Sequence, residues 1–322
     1  LTRLQPHAVA RRACSVAALT CALALALAAP TGTRAADAPA GLTVAQVLDA
    51  SRAADWRPLD PQNTLLMDLP AGQVVIELAP RFAPQHAANI RALAHEGYWD
   101  GLAILRVQDN YVTQWGDPEA DAPAQARPLG EAKAHLPAEF SVPLKGLPLQ
   151  RLPDVDGWAP VTGFVDGMPV AADPATGQAW LAHCYGMVGA GRDMAPDSSN
   201  GSELYAIIGQ AARGLDLNIT VVGRVLQGMQ YLSGLPRGTG EMGFYTDAAQ
   251  RTPIRRVRLL ADVPEAERPA IEVLRTDTDT WQRLLDARRV RHEAWFVHSP
   301  HHIGVCNATV PVRPVKTAKA AG

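Results

Sequence analysis

Residues 103–107, Ala-Ile-Leu-Arg-Val, set one cation inside an apolar strand-like run, and Tyr111, Val112 and Gln114 follow it closely. A lone charge among Ile104, Leu105 and Val107 is costly to bury unless something pairs with it. Arg106 is therefore either a structural arginine, satisfied by Glu203 or by backbone carbonyls, or a group held for work on a ligand. A guanidinium stays charged and offers its donors in a rigid plane, so it suits fixed electrostatic stabilisation. Downstream, GMVGAGR (186–192), SNGSELYAIIG (199–209) and GLDLNITVVGRV (214–225) are Gly-bounded, strand-like runs. Taken alone, Tyr111 and Tyr205 read as core aromatics; their joint spacing to Arg106 and Glu203 makes them site candidates.

Other chemistries have less support. His183 beside Cys184 invites a nucleophile, but no Ser or Cys elbow accompanies it. His292, His298, His301 and His302 cluster near the tail, yet no Cys or carboxylate stands nearby with structural-zinc spacing, so they read as a solvated face. There is no phosphate loop, dinucleotide fingerprint or basic stripe.

The elements that must position these residues follow from pattern and punctuation. NTLLMDLPAGQVVIELA (63–79) reads as a hairpin divided at Pro70-Ala71-Gly72. A helix is predicted from Pro84 to about Glu96, with Pro at its start, Gly97 past its end, and Ala87, Ile90 and Leu93 on its apolar face. Gly-bounded strands are predicted in 184–192, 203–209 and 219–228, a short helix over 226–235, and a last half-exposed strand in RTPIRRVRLL (251–260). Val44, Val47 and Leu48 have helical spacing. Residues 118–180 are rich in proline and read as an irregular insertion. A helix over 277–297, N-capped near Asp277 or Asp279, is predicted to contribute Trp281, Leu284, Leu285 and Trp295 to a core. Strand runs without a βαβ rhythm argue for a closed antiparallel barrel over a doubly wound sheet.

Arg3, Arg11 and Arg12 precede an uncharged run of small and apolar residues at 14–30, the pattern of a secretory signal peptide over 1–35. The run is short for a membrane span, which needs about 20 apolar residues. Its removal takes four arginines and no acids. Thirty basic residues then become twenty-six against thirty-two acidic ones, a net charge of −6. A mildly acidic, well-mixed surface argues against nucleic acid or an anionic membrane as partner. Two cysteines remain, Cys184 and Cys306. In an oxidising compartment they are a candidate disulfide; the alternative is two unrelated buried thiols.

The lead-in VVIELAPRFAPQHAANIRALAHEGYWDG (74–101) and its continuation through GDP (116–118) resemble the cyclophilin family of peptidyl-prolyl cis-trans isomerases, and SNGSELYAIIG extends the match. The resemblance implies a mainly β fold, a closed eight-stranded antiparallel barrel capped by two α-helices. Its boundaries here are a signal peptide at 1–35, an N-terminal helical segment at 36–59, an isomerase domain at 60–262 with an insertion at about 119–180, and a C-terminal helical extension at 263–322.

Position by position, the resemblance implies Arg106 as the catalytic arginine and Tyr111 and Val112 as pocket residues. Gln114 contacts the peptide backbone, as do Gly191 and Arg192. Glu203 falls on a glutamine, Tyr205 on the phenylalanine at the base of the proline slot, and Leu215 on a pocket leucine. The chain departs from the pattern at Glu203, at Gly214 in place of the pocket tryptophan, at Ile219 in place of a histidine, at Trp115 in place of a glycine, and at Ile90 in place of a phenylalanine. Amide rotation faces a barrier of about 18–20 kcal/mol, and donors aimed at the twisted amide lower it without acid, base or metal. The implied activity is thus a cofactor-free, metal-free isomerase acting on Xaa-Pro bonds of exported proteins. It is expected in the periplasm as a monomer, with proline-containing segments as partners and no membrane attachment after cleavage. The alternative is a catalytically weak proline-segment-binding or chaperone module on the same fold.

Overall fold

A computed structural model describes residues 41–315, so the predicted signal peptide lies outside the described residues. Nine antiparallel strands make the main sheet: β1 Thr64–Leu69, β2 Gly72–Leu78, β3 Ala103–Val107, β4 Val112–Gly116, β5 Met187–Ala190, β6 Leu204–Ile207, β7 Val221–Gln227, β8 Thr252–Pro253 and β9 Arg256–Leu259. Their order is β8-β3-β4-β6-β5-β7-β2-β1-β9. The mainly β reading holds, but the sheet is a curled nine-stranded one and not the single closed ladder of eight. The predicted last strand is split in two. Pro253 has no N–H to continue a ladder, and the chain changes partner just after it: Ile254 N donates to Leu102 O (2.7 Å), then Arg255 N to Asp68 O (2.9 Å). One segment, 252–259, thereby serves both margins of the sheet.

Among the described residues four α-helices accompany the strands: α1 Val44–Asp49, α2 Pro84–His95, α3 Met229–Ser233 and α4 Asp279–Arg289. In α2 the side chains of Ala87, Ile90 and Leu93 are fully buried against the inner face of the sheet, with Ile76, Ile104 and Trp115. Its start has no side-chain cap at Ala83. Glu139 supplies one from a distance, accepting from the amides of Gln85 and His86 (both 2.9 Å) and lying 2.7 Å from His86 Nδ1. Burial would raise the Glu139 carboxyl, but these hydrogen bonds outweigh it and hold the group below its usual range. A depressed carboxyl stabilises the fold above its unfolded pKa and loses that contribution as pH falls through the folded value. Glu139→Gln is therefore expected to cost about 1–2 kcal/mol at pH 7. In urea melts repeated toward pH 4, the gap to wild type should close.

The stretch expected to be an irregular insertion is regular in part. Residues 142–143, 150–151, 161–165, 168–173 and 178–181 form a second, five-stranded antiparallel sheet. Its central hairpin turns at Asp166-Gly167, both with positive φ (51° and 83°), the two-residue turn that Asp-Gly favours. The two strands flanking that turn are buried almost throughout, so they lack the alternation that marks a half-exposed strand.

Helix α4 packs on this second sheet. Trp281 of α4 meets Phe164 edge-on at 4.9 Å, and Leu284 and Leu285 join the same core as Val170 and Leu181. Trp56–Pro58, Ile271–Leu274 and Val312–Pro314 form a third, small sheet. Two expectations are corrected here. The N-cap of α4 is Thr278, whose side chain accepts from Trp281 N. The helix also stops at Arg289, because Ser299 Oγ takes the amide of Arg291 and donates to the carbonyl of Arg289. Trp295 consequently lies outside the core, 82% exposed. Cys184 and Cys306 are bonded, with Cα atoms 4.9 Å apart. No helix among the described residues is long and apolar enough to cross a membrane.

Candidate functional site

The β3–β4 hairpin sets the site. Its register slips between Ile104 and Arg106, after which Arg106 lies opposite Gln114. A bulge of this kind re-aims the side chain that follows it, so Arg106 leaves the apolar sequence of its strand for a half-buried position. Its partners are neither Glu203 nor a backbone carbonyl alone. NH1 donates to Gln114 Oε1 (2.9 Å), NH2 to Gln108 Oε1, and Nε to the carbonyl of Met242 (2.6 Å). The rings of Tyr111 and Phe244 each lie 5.5 Å from the guanidinium carbon. A guanidinium has five N–H donors; three are committed, and one remains on each terminal nitrogen.

Gln114 relays this cation to an acid. Its Nε2 donates to Glu203 Oε1, which fixes its Oε1 toward Arg106. Among the described residues no carboxylate makes a direct ion pair with Arg106, its nearest acid in this chain of contacts being one amide away. Burial raises the Glu203 carboxyl, more than the hydrogen bond from Gln114 lowers it.

Tyr205 stands opposite Gln114 across β4 and β6, on the same face of the sheet. On its other side it faces Gly189, where a Cβ would come within 2.3 Å of the ring. Only glycine admits the ring at that height. The ring is buried, and burial pushes the hydroxyl well above its usual range. The hydroxyl lies 3.2 Å from His183 Nε2, and His183 Nδ1 lies 2.9 Å from Asp216. Asp216 also accepts from His183 N (3.0 Å), Arg213 Nε (2.6 Å) and Trp180 Nε1 (3.1 Å). Because Asp216 accepts a hydrogen bond from Nδ1–H, Nε2 is left to accept from Tyr205.

The structure thus brings Arg106, Tyr111, Gln114 and Glu203 into one contact chain, with Val112 on the strand of Gln114 and Tyr205 on the adjoining strand. Gly191 joins through its amide, which donates to Glu203 O (2.8 Å). Arg192 is not part of that chain. Its guanidinium donates to the carbonyls of Asp193 and Met194 in its own loop and to that of Asn218, 26 residues on. Leu215 is half-buried in the turn that holds Asp216, and Gly214 beside it is exposed. Trp115 is buried on the opposite face of β4, so its departure from the family pattern is a change of core packing. Sequence reasoning missed Gln108, Met242 and Phe244 around Arg106, and, beneath Tyr205, Asp216 and the role of His183. The glycine-rich run GTGEMGF (238–244) was the one local signal for the first group. Among the described residues no cluster of three His, Cys, Asp or Glu side chains could hold a metal.

Comparison with known proteins adds three observations. The family model described as cyclophilin type peptidyl-prolyl cis-trans isomerase/CLD matches residues 64–259. A probable peptidyl-prolyl cis-trans isomerase of Brucella suis biovar 1 is 37% identical over 113 residues, 33% of this chain and 55% of that protein. Peptidyl-prolyl cis-trans isomerase B of Bacillus subtilis is 44% identical over 46 residues, 14% of this chain and 32% of that protein. The chain spans about half the length of the Brucella relatives it matches. The solved structure of cyclophilin AquaCyp293 from Hirschia baltica superposes with a TM-score of 0.65 at 24% identity, covering 81% of this chain and 95% of that one. That likeness of fold reaches beyond the stretch matched by the family model.

Proposed function

This chain belongs to the cyclophilin-type peptidyl-prolyl cis-trans isomerase family, and from that premise we propose that it catalyses rotation about Xaa-Pro peptide bonds at Arg106. The observation that carries the reading is the Arg106–Gln114 pair, which leaves a fixed cation with two uncommitted donors beside Tyr111. In this reading Tyr111, Val112, Tyr205 and Leu215 bound the slot for the proline ring. Gln114, Gly191 and the strand edge hold the peptide backbone. As the C–N bond twists, its nitrogen becomes pyramidal and accepts a hydrogen bond from the guanidinium, which is stronger in the twisted state than in the planar one. No proton is transferred. The test is a protease-coupled isomerisation assay on short Xaa-Pro peptides, in which a folded but inactive protein would refute the reading.

A second reading, a module that holds proline-containing segments with little catalysis, is favoured by one observation. Three of the five Arg106 donors already have partners inside the protein. Tight peptide binding without rate enhancement would select it. We further propose that the substrates are exported proteins and that the chain works outside the cytoplasm, supported by the basic-then-apolar pattern at 1–35 and by the Cys184–Cys306 bond.

Glu203 provides a sharper check. Its charge, one amide away from Arg106, draws on the potential that the guanidinium offers to substrate. Glu203→Gln keeps an acceptor for Gln114 and removes the charge. A screened interaction of about 1 kcal/mol corresponds to about fivefold in rate, so kcat/KM is expected to rise by about that factor. Because the Glu203 carboxyl is raised, wild type should gain activity as pH falls through that value, while Glu203→Gln stays flat. An unchanged or lower kcat/KM in the variant would remove Glu203 from the account.

A further inference from the structure

The segment that follows α3 lies directly against Arg106. Gly238 N donates to Val107 O and Tyr245 N to Leu105 O (both 3.0 Å), and Phe244 forms an antiparallel bridge with Arg106 itself. Residues 238–245 therefore close on β3 at both ends, past the end of β8, and turn back on themselves in between, where Gly240 N donates to Phe244 O (3.0 Å), as a looped strap over the base of the Arg106 side chain. Its path depends on Gly243. Its φ is +82°, and a Cβ there would lie 2.7 Å from Gln108 Cα and 2.9 Å from Val107 O, so a side chain would lift the strap from the strand. Arg237 anchors its start, with Nε 2.9 Å from Asp109 and NH1 donating to the carbonyls of Ser233 and Leu235. The Tyr245 hydroxyl closes its end on the Pro236 carbonyl.

We propose that this strap is the positioning device of the reaction, with Phe244 and the Met242 carbonyl as the residues that orient Arg106. The inference rests on the isomerase reading and adds residues to it that the matched motif blocks do not contain. A long arginine side chain in a half-exposed place loses its value if it rotates freely, because only donors already aimed at the twisted amide lower the barrier. Gln114 and Gln108 grip the two terminal nitrogens within the plane. The Met242 carbonyl holds Nε, the one nitrogen nearest the chain, and so fixes the direction from which the plane is presented. Phe244 and Tyr111 both lie within cation–π range of the guanidinium carbon and oppose its tilting. The remaining N–H on each terminal nitrogen is then held in a constant direction, with no reorganisation left for the moment of reaction.

The test pairs kinetics with a direct readout of the guanidinium. Phe244→Leu keeps bulk but removes the ring face; it is expected to lower kcat on a short Xaa-Pro peptide about tenfold or more, with KM near wild type. Phe244→Tyr keeps the face and should restore wild-type kcat. In wild type, nitrogen-15 NMR should show the Arg106 Nε–H protected from solvent exchange, as expected for a proton held by the Met242 carbonyl. An Nε–H exchanging as fast as those of exposed arginines would overturn the proposal, whether or not the variant folds. So would a Phe244→Leu protein with wild-type kcat, or one with a higher kcat, which would make the strap a shield. An inactive wild-type protein would refute the isomerase reading separately, and the exchange measurement would still decide whether the strap holds the guanidinium.

Discussion

Arg106→Ala is expected to lower kcat/KM for isomerisation of a short Xaa-Pro peptide by about two orders of magnitude while leaving the fold intact. Removing one donor aimed at a developing charge typically costs about a hundredfold to a thousandfold, and Arg106 has two such donors free. The fold should survive because the groups left behind, the amides of Gln108 and Gln114 and the Met242 carbonyl, lie at a half-exposed place where water can replace the guanidinium. The stability change should stay near 1 kcal/mol. Arg106→Lys separates charge from geometry. An ammonium keeps the charge but cannot reach Gln114, Gln108 and Met242 at once, so it should recover little of the loss. Wild-type rates in Arg106→Ala would place the chemistry elsewhere in the groove or mark the residue as structural.

The largest expected effect on stability is at Asp216. Its carboxylate takes four hydrogen bonds, from His183 N and Nδ1, Arg213 Nε and Trp180 Nε1, and Arg213 is itself buried. Burial would raise the Asp216 carboxyl, but the His183 hydrogen bond and the Arg213 charge outweigh it and leave the group lowered. Asp216→Ala strands those donors and leaves Arg213 with Asp156 alone. Breaking such a buried network costs about 3–5 kcal/mol, to be read as a loss of unfolding free energy in denaturant titrations at pH 7. The sign in pH follows from the lowered value: the contribution is whole above the unfolded pKa of aspartate and fades as pH falls through the folded one. A variant within 1 kcal/mol of wild type at pH 7, a threshold of one ordinary hydrogen bond, would show that the network is not cooperative. The substitution also frees His183 to change tautomer, so the Tyr205 hydroxyl loses its fixed acceptor.

What the sequence discloses depends on how local each interaction is. The β1–β2 hairpin and α2 were legible because Pro70-Ala71-Gly72, Pro84 and Gly97 punctuate clear runs. Arg106 and Gln114 were each singled out as neighbours on one hairpin, eight residues apart, but the bond between them was not anticipated. The strap was not legible, since Met242 lies 136 residues from Arg106 along the chain and reaches it only because the sheet is curled. The second sheet was missed for another reason. Residues 161–173 are buried on both faces, so alternation vanishes and only the Asp166-Gly167 turn marks the hairpin. His183 was visible but was weighed as a nucleophile's partner. Its role under Tyr205 needed Asp216, thirty-three residues on, to be folded back against it.

The Cys184–Cys306 bond encloses β5 through β9, α3, α4 and the exposed turn that carries Trp295 and Val297. A protease that cuts once within that turn severs the backbone but releases nothing, because both pieces remain tied through sulfur. Such a nicked molecule migrates as one band until thiols are added. For this protein, the integrity of the polypeptide is therefore to be read only after reduction.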